Sequence, residues 1–201
     1  MEYFKYGDLE KEYLSKVNPV MKGLIEKHGH IERKVNKDHF SALVSSIIGQ
    51  QISTKASLTV EKRLFDKSGG LSVESLVEMS EHDIQQCGLS FRKAGYIKGI
   101  AQAAKDGSID FYRLRELENQ EIIKSLVSLK GVGKWTAEMM LIFSFERMDV
   151  INFEDLGIRR GLERAYGIEK VKKEHHEYFK ELFSPYATVA SFYLWEESQG
   201  N

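Results

Sequence analysis

The chain has 201 residues, 42% of them hydrophobic, and 29 basic against 30 acidic side chains leave a net charge of −1. This length holds one domain or two small ones with a core, and the composition excludes a disordered chain. No apolar run approaches the ~18 residues of a membrane-spanning helix, and the near-zero charge argues against bulk electrostatic attraction to nucleic acid while leaving room for a local basic surface.

Taken in order, the chain reads as helix after helix. The start, MEYFKYGDLEKEYL, is acidic and amphipathic, unlike a secretory leader, so the expected location is cytoplasmic. Pro19 and Pro185 are the only prolines, each placed for a helix start. Leu43, Val44, Ile47 and Ile48 form one helical stripe; Ile97, Ile100, Ala101 and Ala104 a second; Ile122, Ile123, Leu126 and Val127 a third. Ser80 with Asp83 suggests a capping box, and Asn119 suggests an N-cap. Gly29, Gly69-Gly70, Gly88 and Gly167 suit helix ends. Arg92, Lys93 and Lys98 read as a surface basic stretch. Cys87 is the sole cysteine, which excludes an intramolecular disulfide, a cysteine-rich zinc site and a four-cysteine iron–sulfur cluster. Its place beside Gly88 suits a small buried residue. About ten helices with almost no period-2 alternation predict an all-α fold.

One helix stands apart. Lys134–Phe145, KWTAEMMLIFSF, is apolar on nearly every face, with Glu138 the one charge in its middle, as expected of a helix buried among others. It follows Leu129-Lys130-Gly131-Val132-Gly133 directly. Glycines flanking a small apolar residue allow positive φ and close backbone approach. The N–H groups that open the next helix suit a phosphate, with Lys130 and Lys134 adding charge. A plain αα-hairpin is the alternative for Gly-x-Gly alone.

Leu129–Ala137, then Asp155-Leu156-Gly157-Ile158-Arg159 eighteen residues later, resembles the helix-hairpin-helix DNA glycosylase superfamily, and within it the 3-methyladenine DNA glycosylase II branch. Ser46-Ile47-Ile48-Gly49-Gln50-Gln51-Ile52-Ser53 and Pro185-Tyr186 with Ala190 and Trp195 agree, so the resemblance spans roughly residues 17–196. It implies two helical subdomains with a groove between them, residues 38–147 carrying the hairpin and 1–37 plus 148–201 carrying the catalytic aspartate. It also implies a monomeric enzyme acting on double-stranded DNA with damaged bases. No cofactor and no metal are expected; His28, His30, His175 and His176 lack a ligand spacing and read as surface residues.

Residue by residue, the resemblance makes Asp155 the catalytic carboxylate. Breaking an N-glycosidic bond builds positive charge on the sugar, which a held carboxylate stabilises while orienting water. Asp155 also suits a helix N-cap, and both roles can coexist. Trp135 stands where bifunctional members carry a lysine, and an indole forms no Schiff base, so hydrolysis without strand cleavage is implied. Trp135, Tyr186 and Met139 are candidate base-pocket residues, each with hydrophobic packing as the alternative. Gln51 matches the residue that fills the gap left by a flipped base, with Gln50 shaping the same loop; a solvated helix turn is the alternative. Gly131, Gly133, Lys134, Thr136 and Lys130 are candidate phosphate contacts, and Arg159 and Arg160 further ones or a solvated face.

Alkylated cationic purines are the expected lesions. Uracil, hypoxanthine or oxidised purines are a second reading, and a non-catalytic DNA-binding module is a third. The chain departs from the branch at Lys130, where proline is frequent, at Ala187, where arginine is frequent, and over Arg147–Glu154. That last segment holds neither Gly nor Pro, so a different path is expected to deliver Asp155.

Overall fold

The structure is a computed structural model, and it describes residues 2–200. In chain order it comprises β1 (Glu2–Tyr3), α1 (Asp8–Val17), α2 (Pro19–His28), β2 (Lys34–Val35), α3 (His39–Gly49), α4 (Thr54–Ser68), α5 (Val73–Glu78) and α6 (Glu81–Gln86). There follow α7 (Phe91–Lys105), α8 (Phe111–Leu114), α9 (Asn119–Val127), α10 (Lys134–Phe143), α11 (Leu156–Tyr166), α12 (Lys173–Phe183) and α13 (Ala187–Gln199). The protein is all-α. The one exception among the described residues is a two-residue antiparallel pairing of β1 with β2, too short for an alternation signal. No helix among the described residues is long and apolar enough to cross a membrane.

The chain divides into two compact units, Asn36–Met140, and Met1–Val35 with Leu141–Asn201. In the first, α3 to α8 all open on a serine or aspartate whose side chain accepts a backbone N–H of the first turn: Asp38, Ser53, Ser72, Ser80, Ser90 and Asp110. Ser80 caps as expected, but its hydroxyl donates to the Asp83 carboxylate. The cap of α9 is Glu118 rather than Asn119, with the Glu121 carboxylate accepting the Glu118 N–H at 3.2 Å. Most of the predicted stripes is core, with Leu43, Val44, Ile47, Ile48, Ile97, Ile122 and Leu126 fully buried, but Ala104 and Ile123 are half-buried and Val127, at the end of α9, is exposed. Cys87 is buried there too, and desolvation pushes its thiol pKa up.

Two of the presumed surface lysines serve the interior architecture instead. Lys93 donates to the carbonyls of Ile48 at 2.8 Å and Gln50 at 2.5 Å, so it caps the end of α3. Lys98 donates to the carbonyls of Val77 and Met79 at the end of α5. An ammonium there satisfies orphan carbonyls and opposes the negative end of the helix dipole. Desolvation, and to a lesser extent Arg92, lowers the Lys93 pKa.

In the second unit α13 is the central helix. Every residue from Ala187 to Leu194 is buried, including Thr188, Ser191 and Tyr193. The hydroxyls are satisfied: Thr188 donates to the Arg147 carbonyl at 2.7 Å, Ser191 to the Ala187 carbonyl at 2.8 Å, and Tyr193 to the Gly29 carbonyl at 2.9 Å. Helix α11 crosses α13 at Gly161, where an added Cβ would lie 2.1 Å from the Leu194 carbonyl oxygen. Both sides of that contact are helical backbone and cannot yield locally. Gly161→Ala is therefore expected to destabilise the protein by about 2–3 kcal/mol despite the better helix propensity of alanine. Thermal unfolding should show a fall of roughly 5–10 °C; an unchanged midpoint would contradict so tight a crossing.

Candidate active site

The hairpin lies between α9 and α10. The Val132 N–H donates to the Leu129 carbonyl at 3.2 Å, and Val132 is buried, which anchors the turn. The two glycines differ. Gly131 takes φ +89, and a Cβ there would sit 2.3 Å from the ring of Tyr96. Gly133 has an ordinary φ, and a Cβ would meet nothing within 4 Å. So positive φ is needed at Gly131 only, whereas Gly133 is exposed and leaves the mouth of α10 open to an approaching group. The opening turn of a helix leaves N–H groups without intrahelical acceptors. Lys134 and Lys130 are exposed beside it, Lys134 lying 3.6 Å from Glu138.

Trp135 is 41% exposed although the helix it opens is apolar on nearly every face in the sequence. It borders a cavity of about 600 Å³ with Gly133 and Thr136 on one side and Ser46, Gly49, Gln50 and Gln51 on the other. Met139 is buried and is not among the lining residues, so it belongs to the packed face of α10. Thr136 is buried too; its hydroxyl lies 3.5 Å from the Gln50 amide rather than facing solvent. Gln50 also donates to the Gly131 carbonyl at 3.0 Å, which ties the α3 turn to the hairpin. With its amide so engaged, Gln50 shapes the loop. Gln51 is exposed, and its backbone is left-handed at φ +59, a conformation uncommon for a residue with a Cβ.

Asp155 is the N-cap of α11. Its Oδ1 accepts the Ile158 N–H at 3.0 Å and the Trp195 indole N–H at 2.9 Å. Trp195 comes from α13, and its ring stacks on Phe143 at 5.7 Å. Gly157 makes room for that ring: a Cβ there would meet Trp195 Cδ1 at 2.7 Å. The carboxylate is half-buried at a helix N-terminus, with one oxygen fixed by two donors. Trp195 belonged to the sequence pattern near the C-terminus, but its bond to a residue forty positions earlier had no local signal.

Tyr186 is half-buried at the start of α13, its ring edge-on to Tyr13 at 5.2 Å. Asp149 accepts the Ala187 N–H at 3.2 Å and the Ser184 hydroxyl at 2.7 Å, and Thr188 accepts the Val150 N–H at 3.0 Å. The turn carrying Tyr186 is thereby stitched to the segment leading to Asp155. Arg160 is exposed, whereas Arg159 is half-buried with its Nε lacking an acceptor. The histidines have other partners: His28 lies 3.3 Å from Glu197, His30 stacks on Tyr6, and His176 on Phe153. No group of three or more His, Cys, Asp and Glu residues poised for a metal occurs among the described residues.

Helix-hairpin-helix, aromatic platform and capped aspartate define a class. Residues 44–185 match the HhH-GPD superfamily of base excision DNA repair proteins, and the chain belongs to that superfamily. It is 33% identical over 168 residues to DNA-3-methyladenine glycosylase 1 of Schizosaccharomyces pombe, which covers 81% of this chain and 74% of that one. It is 31% identical over 202 residues to a DNA-3-methyladenine glycosylase of Saccharomyces cerevisiae, covering 82% and 68%. The crystal structure of a DNA-3-methyladenine glycosidase from Bacillus halodurans superposes with a TM-score of 0.88 at 33% identity, covering 100% of this chain and 94% of that one. The S. pombe 3-methyladenine DNA glycosylase in complex with abasic DNA superposes at 0.83 and 30% identity, covering 96% and 97%.

Proposed function

We propose that this protein is a monofunctional DNA glycosylase that flips an alkylated, cationic purine out of duplex DNA and hydrolyses its N-glycosidic bond. The observation that carries the reading is the Asp155 carboxylate, one oxygen of which is held by the Ile158 and Trp195 N–H groups. A carboxylate oriented in this way needs no reorganisation to oppose a developing sugar cation. The complex of the S. pombe relative with abasic DNA supports base release as the reaction.

The residues divide the task. Phosphate docks on the hairpin at Gly131 and Gly133 and the first turn of α10, assisted by Lys130 and Lys134. Gln51 enters the gap vacated by the flipped nucleotide, which offsets part of the unstacking cost. Trp135 stacks on the base, and Tyr186 is a second aromatic for the same purpose. As the C1′–N bond breaks, its electron pair moves to the base, which leaves neutral. Water adds at C1′, and its proton passes to the Asp155 carboxylate and on to solvent. No acid is required because the leaving group already carries its positive charge.

Oligonucleotide duplexes carrying a single 3-methyladenine, 7-methylguanine, uracil, hypoxanthine or oxidised purine test this. The methylated purines should yield abasic sites seen only after alkali. Strand cleavage without alkali would contradict the monofunctional assignment, and preference for a neutral base would shift the substrate class. Binding without base release from any duplex would favour a DNA-binding module.

A further inference from the structure

The segment that delivers Asp155 contains no glycine or proline, yet the carboxylate is held in place. The structure shows what fixes the turn. Asn152 is 1% exposed, and its Oδ1 accepts the Glu154 N–H at 2.7 Å and the Asp155 N–H at 3.1 Å. The Asp155 N–H also reaches the Asn152 carbonyl at 3.2 Å. One side-chain oxygen thus closes the two peptide units immediately before α11, where Asp155 must change from extended to helical backbone.

The same side chain carries a cost. Its Nδ2 is buried without an acceptor. A buried donor left unmade is unfavourable, so it is the oxygen that accounts for an amide here. Aspartate would present the same oxygen with no orphan donor, but it would add a buried carboxylate to the segment that already carries Asp155 and the exposed Glu154, and like charges disfavour each other's ionised form. A leucine would fill the space but leave the Glu154 N–H unpaired and the Asp155 N–H with the Asn152 main-chain carbonyl alone. Asparagine is the neutral acceptor of the right length.

We propose that Asn152 is a positioning residue for the reaction: its amide oxygen locks the approach to α11 so that the Asp155 carboxylate is presented preformed, and being neutral it adds no buried charge to that of the exposed Glu154 next door. This rests on the glycosylase reading for its effect on rate, but the brace can be measured without it. Asn152 touches neither base nor sugar in this scheme and acts through Asp155.

Three variants test it: Asn152→Ala, Asn152→Ser and Asn152→Asp. Serine keeps a shorter acceptor, and it substitutes for the alanine variant should that fail to fold. Single-turnover base release from a methylated-purine duplex should fall about 30- to 100-fold for alanine, because a misplaced carboxylate loses alignment with the sugar. Affinity for an abasic-site duplex should change by less than about threefold, since the hairpin makes the phosphate contacts. Serine should fall between alanine and the parent. Asn152→Asp should recover most of the rate at about pH 8.5, above the carboxylate range, and lose it at higher pH than the parent as pH falls. Amide exchange at Glu154 and Asp155 should quicken about tenfold in the alanine variant and stay slow in the aspartate variant. Alanine with parental rate and exchange would overturn the proposal, as would an aspartate variant no better than alanine at the higher pH. If the parent itself releases no base, the glycosylase reading fails, and the exchange rates alone decide whether Asn152 holds the turn.

Discussion

Asp155→Asn is expected to slow base release on the order of 100-fold or more while leaving the fold intact. Asparagine is as good an N-cap as aspartate. Its amide oxygen can accept the same Ile158 and Trp195 donors that Asp155 Oδ1 accepts. What it cannot supply is the negative charge that opposes the sugar cation, nor a site for the proton of the incoming water. Stability should therefore stay within about 0.5 kcal/mol of the parent while the rate collapses. Thermal denaturation and single-turnover assays on one methylated-purine duplex read both quantities from one preparation. A variant that retains its rate within about threefold would remove the carboxylate from the chemistry altogether.

The second large effect is one of selectivity. Trp135→Ala should weaken excision of every stacked base, because base–aromatic stacking is worth ~1–3 kcal/mol whatever the base. Cationic purines should lose more. The electron-rich indole face attracts a positive ring by about 2 kcal/mol when water is excluded, roughly a further 30-fold in capture of the flipped base, an attraction that fades as the bond breaks and the base becomes neutral. Trp135 is partly exposed, so the substitution should spare the core. Rates on 7-methylguanine and hypoxanthine duplexes, taken as a ratio for parent and variant, isolate the charge-dependent part. An unchanged ratio would leave Trp135 as a stacking surface with no bearing on the charge of the lesion.

The helical fold was legible because apolar residues repeat at helical spacing and the caps are chemically explicit. Ser80 starts a helix as read, Gly29, Gly69 and Gly167 end theirs at positive φ, and Asn119 missed its cap by one residue because Glu118 closes the first turn with Glu121. The hairpin was legible as a whole but not in its parts. Only Tyr96, thirty-five residues away, decides that Gly131 has no room for a side chain while Gly133 does. Helix α13 hid its burial because Thr188, Ser191 and Tyr193 look polar, and only the carbonyls that receive their hydroxyls make them core residues. Lys93 and Lys98 were hidden for the complementary reason: a lysine that reaches the end of another helix is written like one that reaches solvent. Asp155 was marked both by its surrounding pattern and by its aptness as a cap. Its supports were not, since Trp195 is distant in sequence and Asn152 shows its function only through the geometry of its oxygen.

The turn at Gln51 carries a mechanical corollary. Its neighbour Gln50 is tied by its side chain to the hairpin carbonyl of Gly131, and by its own carbonyl to the Lys93 ammonium. The left-handed twist at Gln51 is thereby held from the Gln50 side by two ties, one to the hairpin and one to α7. In the wedge role proposed above, a residue braced in this way would reach the duplex already shaped, with the entropy of ordering it settled during folding rather than on binding.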